Sequence, residues 1–163
     1  VTLLAAMADV STSITVTGTL SANETATVTV TFANVGATPA LNTIRTVVLQ
    51  GTPSLLSVPL GVTTATVGGN WVLTWPSITL PASTSQLFTL TFTVPNISTT
   101  MSVTSTISTT SPEVTTTNNT ATAVSSPVRT IRVNTLVEAC VNDVPYVQYN
   151  VSAINFTPTA NPV

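Results

Sequence analysis

The chain has 163 residues, a net charge of −2, no histidine and no lysine, and only 5% charged residues, against roughly 25% in ordinary soluble domains. Hydrophobic residues make up 43% and Ser plus Thr about a third, which is enough apolar material for one buried core and too much β-branched character for a disordered chain. No basic patch is available for nucleic acid, no apolar run reaches the ~18–20 residues of a membrane helix, and 5% aromatics cannot furnish the girdles of a membrane barrel, so neither nucleic-acid binding nor membrane insertion is expected.

In chain order, Val1-Thr-Leu-Leu-Ala-Ala-Met-Ala8 resembles the end of a secretory signal, with Ala6-Met7-Ala8 as its cleavage pattern, but no basic region precedes it. The preferred reading is an N-terminal extension strand, residues 1–7, that remains in the mature protein. Asp9 to Thr17 reads as a strand with Val10, Ile14 and Val16 in phase, and Ser21-Ala-Asn-Glu24 as a turn. The clearest element is Thr25 to Asn34. Val28, Val30 and Phe32 share one face and Thr27, Thr29 and Thr31 the other, and Asn34-Val-Gly36 supplies turn chemistry.

Gly36-Ala-Thr-Pro39 breaks the chain, and Asn42 to Leu49 resumes it with Ile44, Val47 and Val48 apolar. Ser54 to Val58, between Pro53 and Pro59, has the length and flanks of a short edge strand. Gly68-Gly-Asn70 leads into Trp71-Val-Leu-Thr-Trp75-Pro76. Pro81-Ala-Ser-Thr84 turns into a second strongly alternating strand, with Phe88, Leu90, Phe92 and Val94 inward. Met101 to Thr109 follows, then a polar loop through Asn119, then a closing strand from Thr120 to Val124. Short strands at even spacing, with turns between them and no helical period, indicate an all-β, immunoglobulin-like antiparallel sandwich.

The segments Ala8-Asp-Val-Ser11, Glu24-Thr-Ala-Thr-Val-Thr-Val-Thr-Phe-Ala-Asn-Val-Gly36, Gly69-Asn-Trp71 before Leu80-Pro-Ala-Ser-Thr-Ser85, and Pro112 with Asn118-Asn-Thr-Ala-Thr122 resemble a repeat family of prokaryotic surface proteins, domain of unknown function eleven. The resemblance covers residues 8–126 and implies an immunoglobulin-like sandwich found in tandem at cell surfaces. Where that family commonly has an acidic D-x-L-P element, this chain has Gln50-Gly-Thr-Pro-Ser54, so no loop-borne carboxylate or calcium role is carried over.

Residues 127–163 lie outside the resemblance. Ile131, Val133, Val137, Ala139 and Val141 share one strand face, and after Asn142-Asp143 so do Val147, Tyr149, Val151 and Ala153. A two-stranded ribbon is marginal alone in water. It can extend its own sheet, add to the sheet of a neighbouring subunit, or begin a second repeat. For assembly the expected strand is this ribbon, through Ile131, Val133, Val137, Val147, Tyr149 and Val151, followed by Leu3 and Leu4 at the N-terminus.

Chemistry finds little footing. Without histidine or lysine the usual base and amine nucleophile are missing, and Cys140, the one cysteine, can form no intrachain disulfide and has no histidine to deprotonate it. Asp9, Glu24, Glu113, Glu138 and Asp143 are scattered, although Asp9 and Glu113 could meet in space. No catalytic residue, cofactor or metal site is expected. Trp71 and Trp75, four residues apart on one strand face, are candidates for sugar stacking, with core packing as the alternative. Five N-x-S/T sequons occur, and Asn23, Asn96 and Asn118 fall in expected turns or loops, making them candidate glycosylation acceptors. The function expected is a structural subunit of an extracellular filament, sheath or surface layer. Its copies would join by strand addition as a homopolymer. The alternative is a cell-surface adhesin or carbohydrate-binding module that recognises surface glycans.

Overall fold

The structure is a computed structural model that describes residues 6–18, 20, 22–95, 101–125, 133–141 and 144–151, with side chains through residue 124. The chain divides into two compact units, Val1–Pro127 and Val128–Val163.

The first unit is a sandwich of two antiparallel sheets. Its strands are β1 (Val10–Thr17), β2 (Thr25–Asn34), β3 (Ala40–Leu49), β4 (Ser54–Ser57), β5 (Thr63–Val67), β6 (Asn70–Leu80), β7 (Thr84–Thr93), β8 (Met101–Ser108) and β9 (Thr120–Ser125). One sheet runs β1-β2-β7-β4 and the other β5-β6-β3-β8-β9. The strand β5 was not foreseen from sequence. In the second unit β10 (Val133–Val141) pairs antiparallel with β11 (Val144–Val151). No helix of the described residues is long and apolar enough to cross a membrane.

The core forms where the period-two pattern of β2 meets that of β7. Val28 lies opposite Leu90 and Val30 opposite Phe88, and the inward residues of both strands turn toward Val47, Leu49, Leu73 and Trp75 of the second sheet. Phe32, Trp75 and Phe88 form an aromatic cluster across the gap, with centroids 4.8 to 6.1 Å apart in edge-on and tilted arrangements.

Two bulges reset the alternation. In β3 the register shifts twice between Ala40 and Arg45, around Asn42 with its φ of 49°. Thr43, Arg45, Val47 and Leu49 therefore point inward, and Ile44, read as an apolar strand position, is 48% exposed. On the partner strand the same shift falls at Pro76-Ser77, so Trp75 and Leu80 both face the core despite their odd spacing. Proline fits at this point because a bulge needs no ladder hydrogen bond from it.

One end of the sandwich is tied by a single buried side chain. The Nδ2 of Asn34 donates to the carbonyls of Thr38 (2.9 Å), Leu80 (3.0 Å) and Pro81 (3.2 Å), and its Oδ1 accepts from the amides of Gly36 (3.1 Å) and Asp9 (3.2 Å). Gly36 lets the corner close: a Cβ there would lie 2.5 Å from the Ala8 carbonyl carbon and the Met7 carbonyl oxygen. The Met7 carbonyl in turn accepts from Ala37, and Ala8 is fully buried. Met7 and Ala8 thus pack within the sandwich. Residues 1–5, including Leu3 and Leu4, lie outside the described residues.

Replacing Asn34 by Asp keeps the two accepted bonds and removes every donated one, leaving carbonyls unpaired in a buried corner. Asn34→Asp is expected to lower unfolding stability by about 3 kcal/mol, read as a fall in the urea midpoint at unchanged slope.

Candidate assembly edges

Among the described residues β5 is the outermost strand of its sheet and hydrogen-bonds only to β6. Every one of its residues is exposed. Its pairing with β6 is regular from Thr63↔Thr74 to Val67↔Asn70, and Gly68-Gly69, with φ of 57° and 76°, closes the hairpin as a two-residue type I′ turn. Such a turn is flanked by a pair that exchanges both hydrogen bonds, so Val67, Ala65 and Thr63 bond inward to β6. The amides and carbonyls of Thr64 and Thr66 face outward.

The other sheet is also incompletely covered on this side. β4 reaches only residues 91–93 of β7, through Ser54↔Thr93, Leu55↔Phe92 and Ser57↔Thr91, so residues 84–90 have no partner there among the described residues. Leu87 is exposed on that stretch and Phe88 is only half-buried, whereas Leu90 and Phe92 are enclosed. Leu56 of β4, Val58 and Leu60 of the β4–β5 connection, and Val67 of β5 are also exposed, Leu60 fully. The opposite side is closed: β1 lies along β8 and β9, and the Thr12 amide donates to the Asn118 carbonyl at 3.0 Å.

A feature of the sequence that polarity patterns alone do not signal explains the character of this side. Residues 46–112 contain no Asp, Glu, Lys or Arg. Arg45, just before that stretch, is 3% exposed and lies between the sheets. Its guanidinium donates to the Gln86 Oε1 and to the Pro76 carbonyl (2.7 Å), lies 5.8 Å from the Phe88 centroid, and leaves Nε without a partner. Burial pulls its pKa below the usual arginine value, though the group stays protonated. The bulge in β3 put this cation inside, and only knowledge of the bulge could have located it.

The expected site residues fall as follows. Trp75 is 3% exposed in the aromatic cluster and Trp71 is half-buried, its Nε1 donating to the Pro53 carbonyl at 3.0 Å. The pair therefore does not form an exposed stacking platform, because both rings point into the gap between the sheets. Asn23 is exposed in a turn with φ of 63°. Asn118 is partly buried and its Nδ2 donates to Asp9 Oδ1 at 3.1 Å, so the atom that would carry a glycan is already engaged. Asn96 and Ile131 lie outside the described residues. Glu113 lies against the Ala8–Val10 segment, but as a structural acceptor: it takes bonds from the Val10 amide and from Asn119 Nδ2, while Asp9 accepts from Asn118. Of the ribbon positions, Val133 is opposite Val151, whereas Val137 is opposite Gln148 and Val147 opposite Glu138; Tyr149 is opposite Leu136.

No protein-family model matches the chain, and no curated protein matches it in sequence. Among solved structures, the CARDB domain of the PF1109 protein from Pyrococcus furiosus is similar in two forms. Its solution NMR structure gives a TM-score of 0.55 at 19% identity, covering 76% of this chain and 98% of that one. Its crystal structure, in complex with di-metal ions, gives 0.52 at 21% identity, covering 75% and 90%. The bacterial hydrophobin BslA matches more loosely, with a TM-score of 0.46 at 12% identity over 76% and 98%, and carries no argument. At these identities the likeness shows the fold alone, an immunoglobulin-like β-sandwich.

The buried guanidinium gives a direct test of the packing. Arg45→Met fills similar volume without a buried charge and is expected to melt at or above the parent temperature, whereas Arg45→Ala leaves a cavity and frees Gln86 and should cost about 3 kcal/mol. Thermal unfolding of the two variants side by side reads the difference.

Proposed function

We propose that this chain is a non-enzymatic module of an extracellular surface structure, a filament, sheath or layer, in which copies join by β-strand addition. The observation that carries this reading is the unguarded β5 edge set within a stretch free of ionisable side chains. Proteins that must remain apart guard sheet edges with lysine, proline, bulges or short strands, and keep net charge on their surfaces. β4 follows that pattern, being four residues long between Pro53 and Pro59; β5, at five residues, has neither proline, bulge nor charge. The outer faces support the same reading. Thr27 and Thr29 of β2 lie opposite Thr91 and Thr89 of β7, with Oγ1 atoms 3.4 Å apart, a hydroxylated pavement that meets another such face without burying a charge.

The resemblance to the surface-protein repeats of domain of unknown function eleven accords with an exported module, one of many strung along or between cell-surface proteins. The ribbon of β10 and β11, with Val133, Val137, Val147, Tyr149 and Val151, and the N-terminal Leu3 and Leu4 are the strands this reading would donate between copies. Recognition of surface glycans through Trp71 and Trp75 is not proposed, since their rings are turned inward.

Sedimentation velocity at increasing concentration, with negative-stain microscopy of the same samples, is expected to show concentration-dependent assemblies. Thr64→Lys places a cation on the exposed edge and should shift the distribution to smaller species while leaving the melting temperature within about 2 °C. A protein that stays monomeric at every concentration overturns the proposal.

A further inference from the structure

Resting on that reading, we infer that the partner of the β5 edge is β5 of a second copy, paired antiparallel about a two-fold axis through Ala65. The free edge of β5 offers four backbone groups, the N–H and C=O of Thr64 and of Thr66. An antiparallel strand that pairs with itself about Ala65 sets Thr64 of one copy opposite Thr66 of the other. Both residues are then at positions where a pair exchanges two hydrogen bonds. All four outward groups of each copy are satisfied by this register. A register centred on Thr64 or Thr66 would set one of them opposite itself and leave the other facing past the end of the short strand.

The chemistry of the edge selects this partner. A charged peptide or a charged polymer finds no counter-charge anywhere in residues 46–112. A second copy brings an edge that is equally uncharged, so approach meets no like-charge repulsion. Part of the exposed apolar surface belongs to β5 and the chain leading into it. Val67 on β5 and Leu60 on the connection from β4 stand beside the proposed seam, and Leu56 lies on the neighbouring edge of the other sheet. β5 itself has no proline, bulge or charge to obstruct a partner strand. The two five-stranded sheets would join into one of ten strands. A two-fold contact closes on itself, so it makes a pair and not a chain. Longer growth then needs a different contact, which leaves the donated ribbon its separate role. The seam is short, and belongs to the small end of interface sizes, so it is best read by trapping.

In a self-paired strand Ala65 faces its own copy with Cα atoms about 4.5 Å apart, within the ~4.4–6.8 Å range a disulfide spans. With Cys140→Ser removing the native thiol, the full chain carrying Ala65→Cys is expected to form a covalent dimer at least ~tenfold faster than one carrying Val124→Cys on the opposite edge. Adding Thr66→Pro, which deletes an outward N–H and leaves the β6 ladder intact, should abolish the difference; the melting temperature checks that the variant folds. If the protein assembles but Ala65→Cys cross-links no faster than Val124→Cys, the self-pairing is overturned while the surface-assembly reading stands. If Thr66→Pro disperses the assemblies without any Ala65→Cys cross-link, the edge is used by a different strand and the named partner is wrong. If the protein neither assembles nor cross-links, both inferences fall together.

Discussion

Much of the sandwich depends on one amide buried at its corner. Asn34 has no exposure, and its five hydrogen bonds tie its own β2–β3 corner to two segments distant in sequence, the lead into β1 and the β6–β7 turn. None of these segments is regular there, so each has backbone groups that the strand ladders cannot satisfy. A serine is too short and an aspartate cannot donate; an asparagine offers both a carbonyl and an amino group from one side chain. Gly36 is the complement of that choice, since only a residue without Cβ lets Met7 and Ala8 pass so close. With this end pinned, β2 and β7 lie in fixed register, and the alternating faces of both strands meet the second sheet as one core.

The bulges determine what that core contains. A strict period of two through β3 could not bury both Ala40 and Val47. The extra residue near Asn42 resolves this conflict by moving Ile44 out and Arg45 in. The consequence is a guanidinium among Trp75, Phe88 and Gln86, held by a side-chain amide, a carbonyl and an aromatic face in place of a carboxylate. The only proline within β6 sits at the matching irregularity and supplies that carbonyl. Two departures from ideal sheet geometry thus coincide with the one buried charge among the described residues, and each makes the other tolerable.

How legible this was follows from which signals are local. The strands β2 and β7 stand out because their alternation is uninterrupted, and β4 because proline brackets it. β5 is harder: Thr63-Thr-Ala-Thr-Val67 lacks the large apolar residues that mark an inner face, since an edge strand with both faces in water needs none. The Gly68-Gly69 turn was its one available signal, for a two-residue glycine turn before Trp71 implies a strand on both sides. Arg45 and Ile44 could not be placed because a bulge depends on pairing with a distant strand. The inward direction of Trp71 and Trp75 was legible as a shared face, but which way that face pointed required Leu73 between them to be seen in the core.

The distribution of charge ties the architecture to its proposed use. Asp9 and Glu113 accept hydrogen bonds from backbone and amide donors at the closed side of the sandwich, where β1 meets β8 and β9, and Arg45 is internal. The strands with unpaired edges, β5 and the outer stretch of β7, therefore lie within a stretch of sequence that carries no charge. In a solitary soluble domain the reverse placement would be expected, with ions guarding the edges and hydroxyls filling the rest. Here Asp9, Arg45 and Glu113 serve to hold the fold, and backbone hydrogen-bonding groups face outward at Thr64 and Thr66. Unpaired amides and carbonyls in water are satisfied by solvent at little cost, so such an edge is stable alone, yet it gains directional bonds and sheds apolar exposure at Leu60 and Val67 when another strand docks. The same economy of charge removes like-charge repulsion from the proposed contact.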